Sequence, residues 1–387
     1  MDEEKEEVYL LWFLLTSGTA RVRNGTICKA FSSFKDIYYN KKSKLQTLKI
    51  ASKYLLKFEN KDLSKAREVL ETVKQKQMRI ISFYDNDYPA ELKDISPVPV
   101  ALFMLGKYKD IKNSLKMAVV GARKCTDYGK NTAYTLSREL ASKNVVIVSG
   151  MAEGVDAQAH KGAIDAGGYT IAVLGTGADI PYPNINKDLY DEILDNGIIL
   201  SEYLPGTPPA KYTFPERNRI VSGLAKGILV VESKLRGGSL ITATAAQEQN
   251  RELFVVPGPI DSPESLGANR LINQGGKAVS DIYDIIEDYM PEVKTEMVTK
   301  RKDGTAHMSR AYYSDLDRKE RDIAYSELDR SGDPCELVLR VVSKTPQSID
   351  DIIKITGLLA QQVSSSLMML QVQGKVIGVP GGRYKSA

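Results

Sequence analysis

Between residues 115 and 290, short apolar runs alternate with amphipathic stretches of about 12 to 16 residues, and no other feature of the 387-residue chain constrains its fold as strongly. Six runs predict strands: Met117–Val120, Val145–Val148, Thr170–Leu174, Ile198–Leu200, Ile228–Val231 and Leu253–Val256. None alternates apolar with polar residues, as expected where helices cover both faces of a parallel sheet. The runs end in Gly121, Ser149-Gly150, Gly175, Ser201-Glu202, Glu232 and Pro257-Gly258. Small or polar residues therefore line the carboxyl edge, where open α/β sheets bind ligands. Glycine lets the backbone approach a ligand, and the helix starts beyond it offer unpaired N–H groups at a positive dipole end. An anion is the natural guest.

The flanks differ in texture. Residues 1–80 predict a Lys-rich helical domain, with apolar spacing in Val8-Leu11-Trp12-Leu15 and Leu45-Leu48-Ile50-Tyr54-Leu55. Residues 81–290 form the sheet domain. Residues 291–332, dense in both signs of charge and poor in large aliphatics, predict a linker. Residues 333–387 predict a winged helix. Its first helix is Glu336–Ser343; the second is capped by Ser348, carries Asp350 and Asp351 in its first turn and ends at Gly357. The third, about Leu359 to Gln373, buries Val363, Leu367 and Leu370, and a hairpin over Lys375–Tyr384 supplies the wing.

Composition narrows the function classes. With 42% hydrophobic and 26% charged residues the chain reads as an ordinary globular protein, and its net charge of +4 is weak evidence for a polyanionic partner. The longest apolar run, Val8 to Leu15, is less than half of the roughly 18 residues a membrane span needs. The acidic start, Asp2 to Glu7, is the opposite of a signal peptide, so no membrane partner and a cytoplasmic location are expected. Cys28, Cys125 and Cys335 lie far apart beside only two histidines, which argues against disulfides and a metal site. No Walker motif occurs, Gly175-Thr176-Gly177 lacks a third glycine in register, and no catalytic set stands in recognisable context. No cofactor and no catalysis are expected.

Four loops carry the candidate anion contacts. Gly121, Arg123 and Lys124 follow the first strand; the alternative is a plain turn with solvated cations. Ser149, Gly150 and Gly154 precede a helix that holds His160, and form a nest for an anion. His160 is a base, an orienting hydrogen-bond donor or, as the plainer reading has it, a satisfied packing residue. Arg217, Asn218 and Arg219 follow Phe214-Pro215. In a helix the two arginines point apart, so one faces the ligand while the other, expected to be Arg219, pairs with an acid. Arg236, Gly238 and Ser239 open the next helix.

Together these strings resemble the DprA/Smf family of DNA-processing proteins. The matching stretches are Val119-Val120-Gly121-Ala122-Arg123-Lys124 with Tyr128-Gly129, Ser149-Gly150 through Gly154-Val155-Asp156 with Ala159-His160, and Ala172-Val173-Leu174-Gly175 with Tyr182-Pro183. They continue in Leu200-Ser201-Glu202-Tyr203, Phe214-Pro215 with Arg217-Asn218-Arg219, Val230-Val231-Glu232, Arg236 with Gly238-Ser239-Leu240 and Thr242, and Val256-Pro257-Gly258. The resemblance implies a Rossmann-like domain that binds single-stranded DNA, a homodimer, and delivery of incoming DNA to the recombinase RecA during natural transformation. Glu153 stands where the family commonly has arginine, and Gly237 replaces a serine. Two other readings compete. Phosphoribohydrolases acting on nucleoside monophosphates share the sheet architecture, but here no carboxylate follows Thr242 until Glu248. A transcription regulator would act through the winged helix.

Overall fold

The computed structural model describes residues 4–18, 21–40, 42–48, 54, 56–287, 289, 333–343, 347–379 and 383–386. The expected linker, the tip of the wing at 380–382, and Ile50 and Leu55 lie outside them. The chain divides into two compact units, Met1–Ala306 and His307–Ala387.

The first unit opens with helices α1 (Glu6–Ser17), α2 (Arg21–Ala30), α3 (Phe34–Tyr39), α4 (Lys42–Thr47) and α5 (Ser64–Gln75). In α1 every side chain from Val8 to Phe13 is buried. An apolar stripe would bury one face only; a helix apolar all round sits inside its neighbours. Its core runs on without a break into Phe103 and Ile199 of the sheet.

Nine strands follow: β1 (Arg79–Ser82), β2 (Ala101–Gly106), β3 (Lys116–Val120), β4 (Val146–Ser149), β5 (Thr170–Leu174), β6 (Gly197–Ser201), β7 (Gly227–Val230), β8 (Glu252–Val255) and β9 (Lys277–Ala278). Between them run α6 (Asp127–Ser142), α7 (Val155–Asp165), α8 (Lys187–Asn196), α9 (Thr213–Leu224), α10 (Ser239–Glu248) and α11 (Leu266–Asn273), with α12 (Tyr283–Ile286) the last described helix of the unit. The sheet order is β1-β2-β6-β5-β4-β3-β7-β8-β9. All pairings from β6 to β9 are parallel, while β1 and β2 join antiparallel at one edge. The expected α/β class with a Rossmann-like parallel core holds, and the six expected strands are all present. The sequence reading missed β1, β2 and β9, and β1 crosses the boundary drawn between residues 80 and 81.

Alternate residues of each strand serve opposite layers. Ala118, Val120, Val148 and Val230 pack against Ile220 and Val221 of α9 and Ala243 of α10. Met117, Val119, Ile147 and Leu229 pack against Leu136 and Leu140 of α6 and Ala159 of α7. Strand order reverses at β3, with β4 on one side and β7 on the other. In a doubly wound sheet the crevice opens outside the carboxyl ends at that switch point.

The second unit is a winged helix: α13 (Pro334–Val341), β10 (Gln347–Ser348), α14 (Ile349–Thr356), α15 (Ala360–Val372), β11 (Val376–Val379) and β12 (Arg383–Ser386), in sheet order β10-β12-β11. Ser348 and Asp351 form a reciprocal capping box, and Gly357 ends α14 in the left-handed conformation. Val363, Leu367 and Leu370 of α15 fill the core with Val338, Ile352 and Val376. Among the described residues no helix is long and apolar enough to cross a membrane.

Candidate nucleic-acid interface

A cleft of about 590 Å³ opens at the switch point, walled by the loops after β3, β4 and β7 and by the start of α9. Of the expected residues, Gly121, Arg123, Lys124, Gly150, Arg217, Asn218, Arg236, Gly238 and Ser239 line it. Four separate loops therefore meet in one cavity. Lys211 and Lys234 add to the charge, and the one lining acid is Asp156. Among the described residues Arg123, Lys124, Lys211 and Arg236 form no close ion pair, while Lys234 pairs with Glu264 at 3.0 Å. The cavity is strongly cationic.

Three expected residues lie outside it, each for a physical reason. Ser149 is fully buried, and its hydroxyl donates to the Val119 carbonyl at 2.6 Å, tying the end of β4 to β3. Gly154 precedes α7 at φ +79°. A Cβ there would run into the Ala122 and Arg123 carbonyls, so this glycine lets two cleft loops close on each other. Arg219 points the other way along α9 and donates to both carboxylate oxygens of Glu202 at 2.7 Å. This pair is buried on both sides. The separation of the two arginines is therefore as helical geometry requires, with Arg219 as the ion-paired one.

Arg217 departs from expectation in another way. As an exposed ligand-facing side chain it would contribute little to folding, yet it is only 5% exposed. Its Nη1 donates to the Gly150 carbonyl at 2.7 Å and to the Val173 carbonyl, holding the ends of β4 and β5. Gly150 leaves the guanidinium room, because a Cβ there would stand 2.5 Å from the guanidinium carbon and push it aside. Burial pulls the Arg217 guanidinium down to about 10, helped by Arg123 and opposed by Asp156. It stays charged at neutral pH. Burial also pushes the Asp156 carboxyl upward, against the pull of Arg217.

His160 is fully buried and absent from the lining. Thr170 Oγ1 gives its proton to the Ile147 carbonyl at 2.9 Å, so the 2.7 Å contact from His160 Nδ1 must be donated by an Nδ1–H imidazole. Burial, with Arg217 as the lesser cause, lowers its pKa to about 3. It is a neutral packing residue. Glu232 is buried too: its carboxylate accepts from the Thr126 amide at 2.9 Å and hydroxyl at 2.6 Å and so braces the start of α6.

The sequence reading passed over an aromatic wall. Tyr182 and Phe214 stack at 5.2 Å between centroids, and the Arg123 guanidinium lies 5.5 Å from the Phe214 centroid. The available signal was an aromatic before proline in both Tyr182-Pro183 and Phe214-Pro215. Stacked rings beside unpaired cations can hold bases and phosphates together. The start of α10 borders the same space through Gly238, Ser239, Ile241 and Thr242, with the Leu240 and Ile241 amides held by the Gly237 and Gly238 carbonyls at 3.2 Å.

Known proteins share this architecture. Residues 79–290 match the family described as DNA recombination-mediator protein A, and residues 328–382 match the DprA winged helix domain. The DNA processing protein DprA of Streptococcus pneumoniae is 43% identical over 208 residues, covering 54% of this chain and 73% of that one. Protein Smf of Synechocystis is 32% identical over 328 residues, covering 82% of each. The solved Streptococcus pneumoniae DprA structure superposes with a TM-score of 0.63 at 33% identity, covering 72% of this chain and 96% of its own. That of Helicobacter pylori DNA processing protein A, described for its single-stranded DNA binding mode, gives 0.51 at 33% identity over 56% and 97%. A match that spans the whole sheet and resumes in the winged helix leaves one assignment: the chain belongs to the DNA recombination-mediator protein A family, DprA/Smf.

Proposed function

We propose that the chain binds single-stranded DNA in the switch-point cleft, without catalysing a reaction, and as a homodimer protects incoming strands and passes them to the recombinase RecA. The observation that carries the reading is the cleft's charge, six cationic side chains against one buried acid, beside a stacked aromatic pair. Such a surface suits a flexible backbone with splayed bases better than a rigid duplex. The Helicobacter pylori relative, with its described single-stranded DNA binding mode, supports the same substrate. Glu248, the nearest carboxylate along the chain after Thr242, ends α10, whereas the cleft sits at that helix's start. This arrangement argues against glycosidic cleavage by that group. The test is a titration with labelled single strands, duplexes and nucleoside monophosphates at several salt concentrations. Single strands should win, with log K falling by about 0.7 per decade of salt for each phosphate contact. A flat salt dependence, or hydrolysis of a nucleoside monophosphate, overturns the proposal.

A further inference from the structure

The peptide groups of Gly150 are gripped by opposite charges. Its N–H donates to Asp156 Oδ2 at 3.2 Å, and its carbonyl accepts from Arg217 Nη1 at 2.7 Å. Asp156 also accepts from the Ala152 amide. One carboxylate thus holds both sides of a turn whose middle residue, Met151, has a φ of +55°. Asp156 lines the cleft at 7% exposure. A buried negative charge on the floor of an anion site repels what the site should hold, and a neutral side chain could accept the same amides. The acid makes sense if its charge is not constant.

We propose that Asp156 is the positioning residue of the phosphate cradle and that its carboxylate takes up a proton when a phosphate enters, coupling occupancy to proton uptake. The inference rests on the single-strand reading of the cleft. Two cations face Asp156, Arg217 from α9 and Arg123 from the loop after β3, and on its own helix the neutral His160 stands four residues on. Burial favours the protonated acid, and the arginines oppose it. A phosphate that engages both guanidinium groups cancels their opposition and adds a second negative charge nearby. The proton comes from the buffer and lodges on one carboxylate oxygen. The other oxygen still accepts an amide, so the turn keeps its hold, and no bond of the nucleic acid changes.

Calorimetric titration with an oligothymidylate, in buffers of different ionisation enthalpy, measures the protons directly; thymine has no group that titrates in acid. Wild-type binding should take up a fraction of a proton that grows as pH falls below neutrality. Affinity should rise in step, by at most about tenfold per pH unit where one whole proton is taken up. Asp156→Asn should abolish the uptake and flatten the pH profile, while His160→Asn keeps both. Wild-type heats that do not depend on buffer sink the proposal, as does uptake that survives in Asp156→Asn. Uptake lost in His160→Asn moves the proton to the imidazole and also overturns it. Should Asp156→Asn not fold, the wild type and His160→Asn still decide. A complete absence of binding refutes the single-strand reading instead, an outcome distinct from binding without protons.

Discussion

Replacing Arg217 by alanine should cost both stability and affinity, and the structure gives the size of each loss. The side chain is buried, and its removal leaves the Gly150 and Val173 carbonyls without their donor. Each orphaned buried acceptor costs about 1–3 kcal/mol. Relief of the desolvated charge returns part of that, since burying a guanidinium is itself unfavourable. The net loss is about 2–4 kcal/mol, or about 3–6 °C in Tm for a unit of this size. Binding measured well below both melting temperatures should weaken, and the slope of log K against log salt should shrink by about 0.7, the share of one phosphate contact. Thermal unfolding followed by circular dichroism, with fluorescence anisotropy of a labelled single strand across a salt series, reads both. An unchanged Tm would refute the structural account of Arg217. A lowered Tm with an unchanged salt slope would refute its contact with phosphate.

Arg123→Ala and Lys124→Ala remove exposed cations that make no close ion pair among the described residues, so anisotropy should show weaker binding and calorimetry a Tm within about 1 °C of wild type. Arg219→Ala breaks the buried pair with Glu202 and should destabilise by about 3–5 kcal/mol in chemical denaturation, with affinity below the melt unaffected. His160 has a folded pKa of about 3 against an ordinary 6.5, so its neutral form contributes stability that is complete above 6.5 and is lost as pH falls from 6.5 towards 3. His160→Asn should remove that part of the acid slope in denaturation curves taken across the window. A chain ending at Met290 should keep most single-strand affinity, and the segment from Asp333 to Ala387 should show little, because α15 carries no lysine or arginine and presents exposed Met368 and Met369. Near-total loss of binding in the truncated chain would move the site to the second unit.

What was legible in the sequence follows the range of the interactions. The six parallel strands announced themselves because burial on both faces forces continuous apolar runs, and their ends fell within one or two residues. Ala101–Gly106 is as apolar as any of them. It escaped notice because it follows Pro97 and Pro99 and pairs antiparallel, with Phe103 opposite Ser201, across a stretch that no local pattern spans. Two-residue β9 has no pattern at all. The four cleft loops were legible from glycine and arginine at strand ends, and the opposed directions of Arg217 and Arg219 from helical geometry. The burial of Arg217 was not. Its partners lie 67 and 44 residues away in the chain, and a guanidinium read in isolation belongs on the surface.

The span of the bond between Thr126 and Glu232, 106 residues, has a consequence for the newborn chain. The cleft's walls are translated in order from Gly121 to Thr242, and at about 5–20 residues per second the last wall follows the first by about 6–24 s. Until Glu232 emerges the loop after β3 lacks its brace, and until Arg236 to Thr242 follow the first loops lack the wall opposite them. The ribosome-bound chain therefore carries the cations of its first loops before the wall that will face them exists. The cleft is complete only when the last of its walls, Arg236 to Thr242, has joined the first.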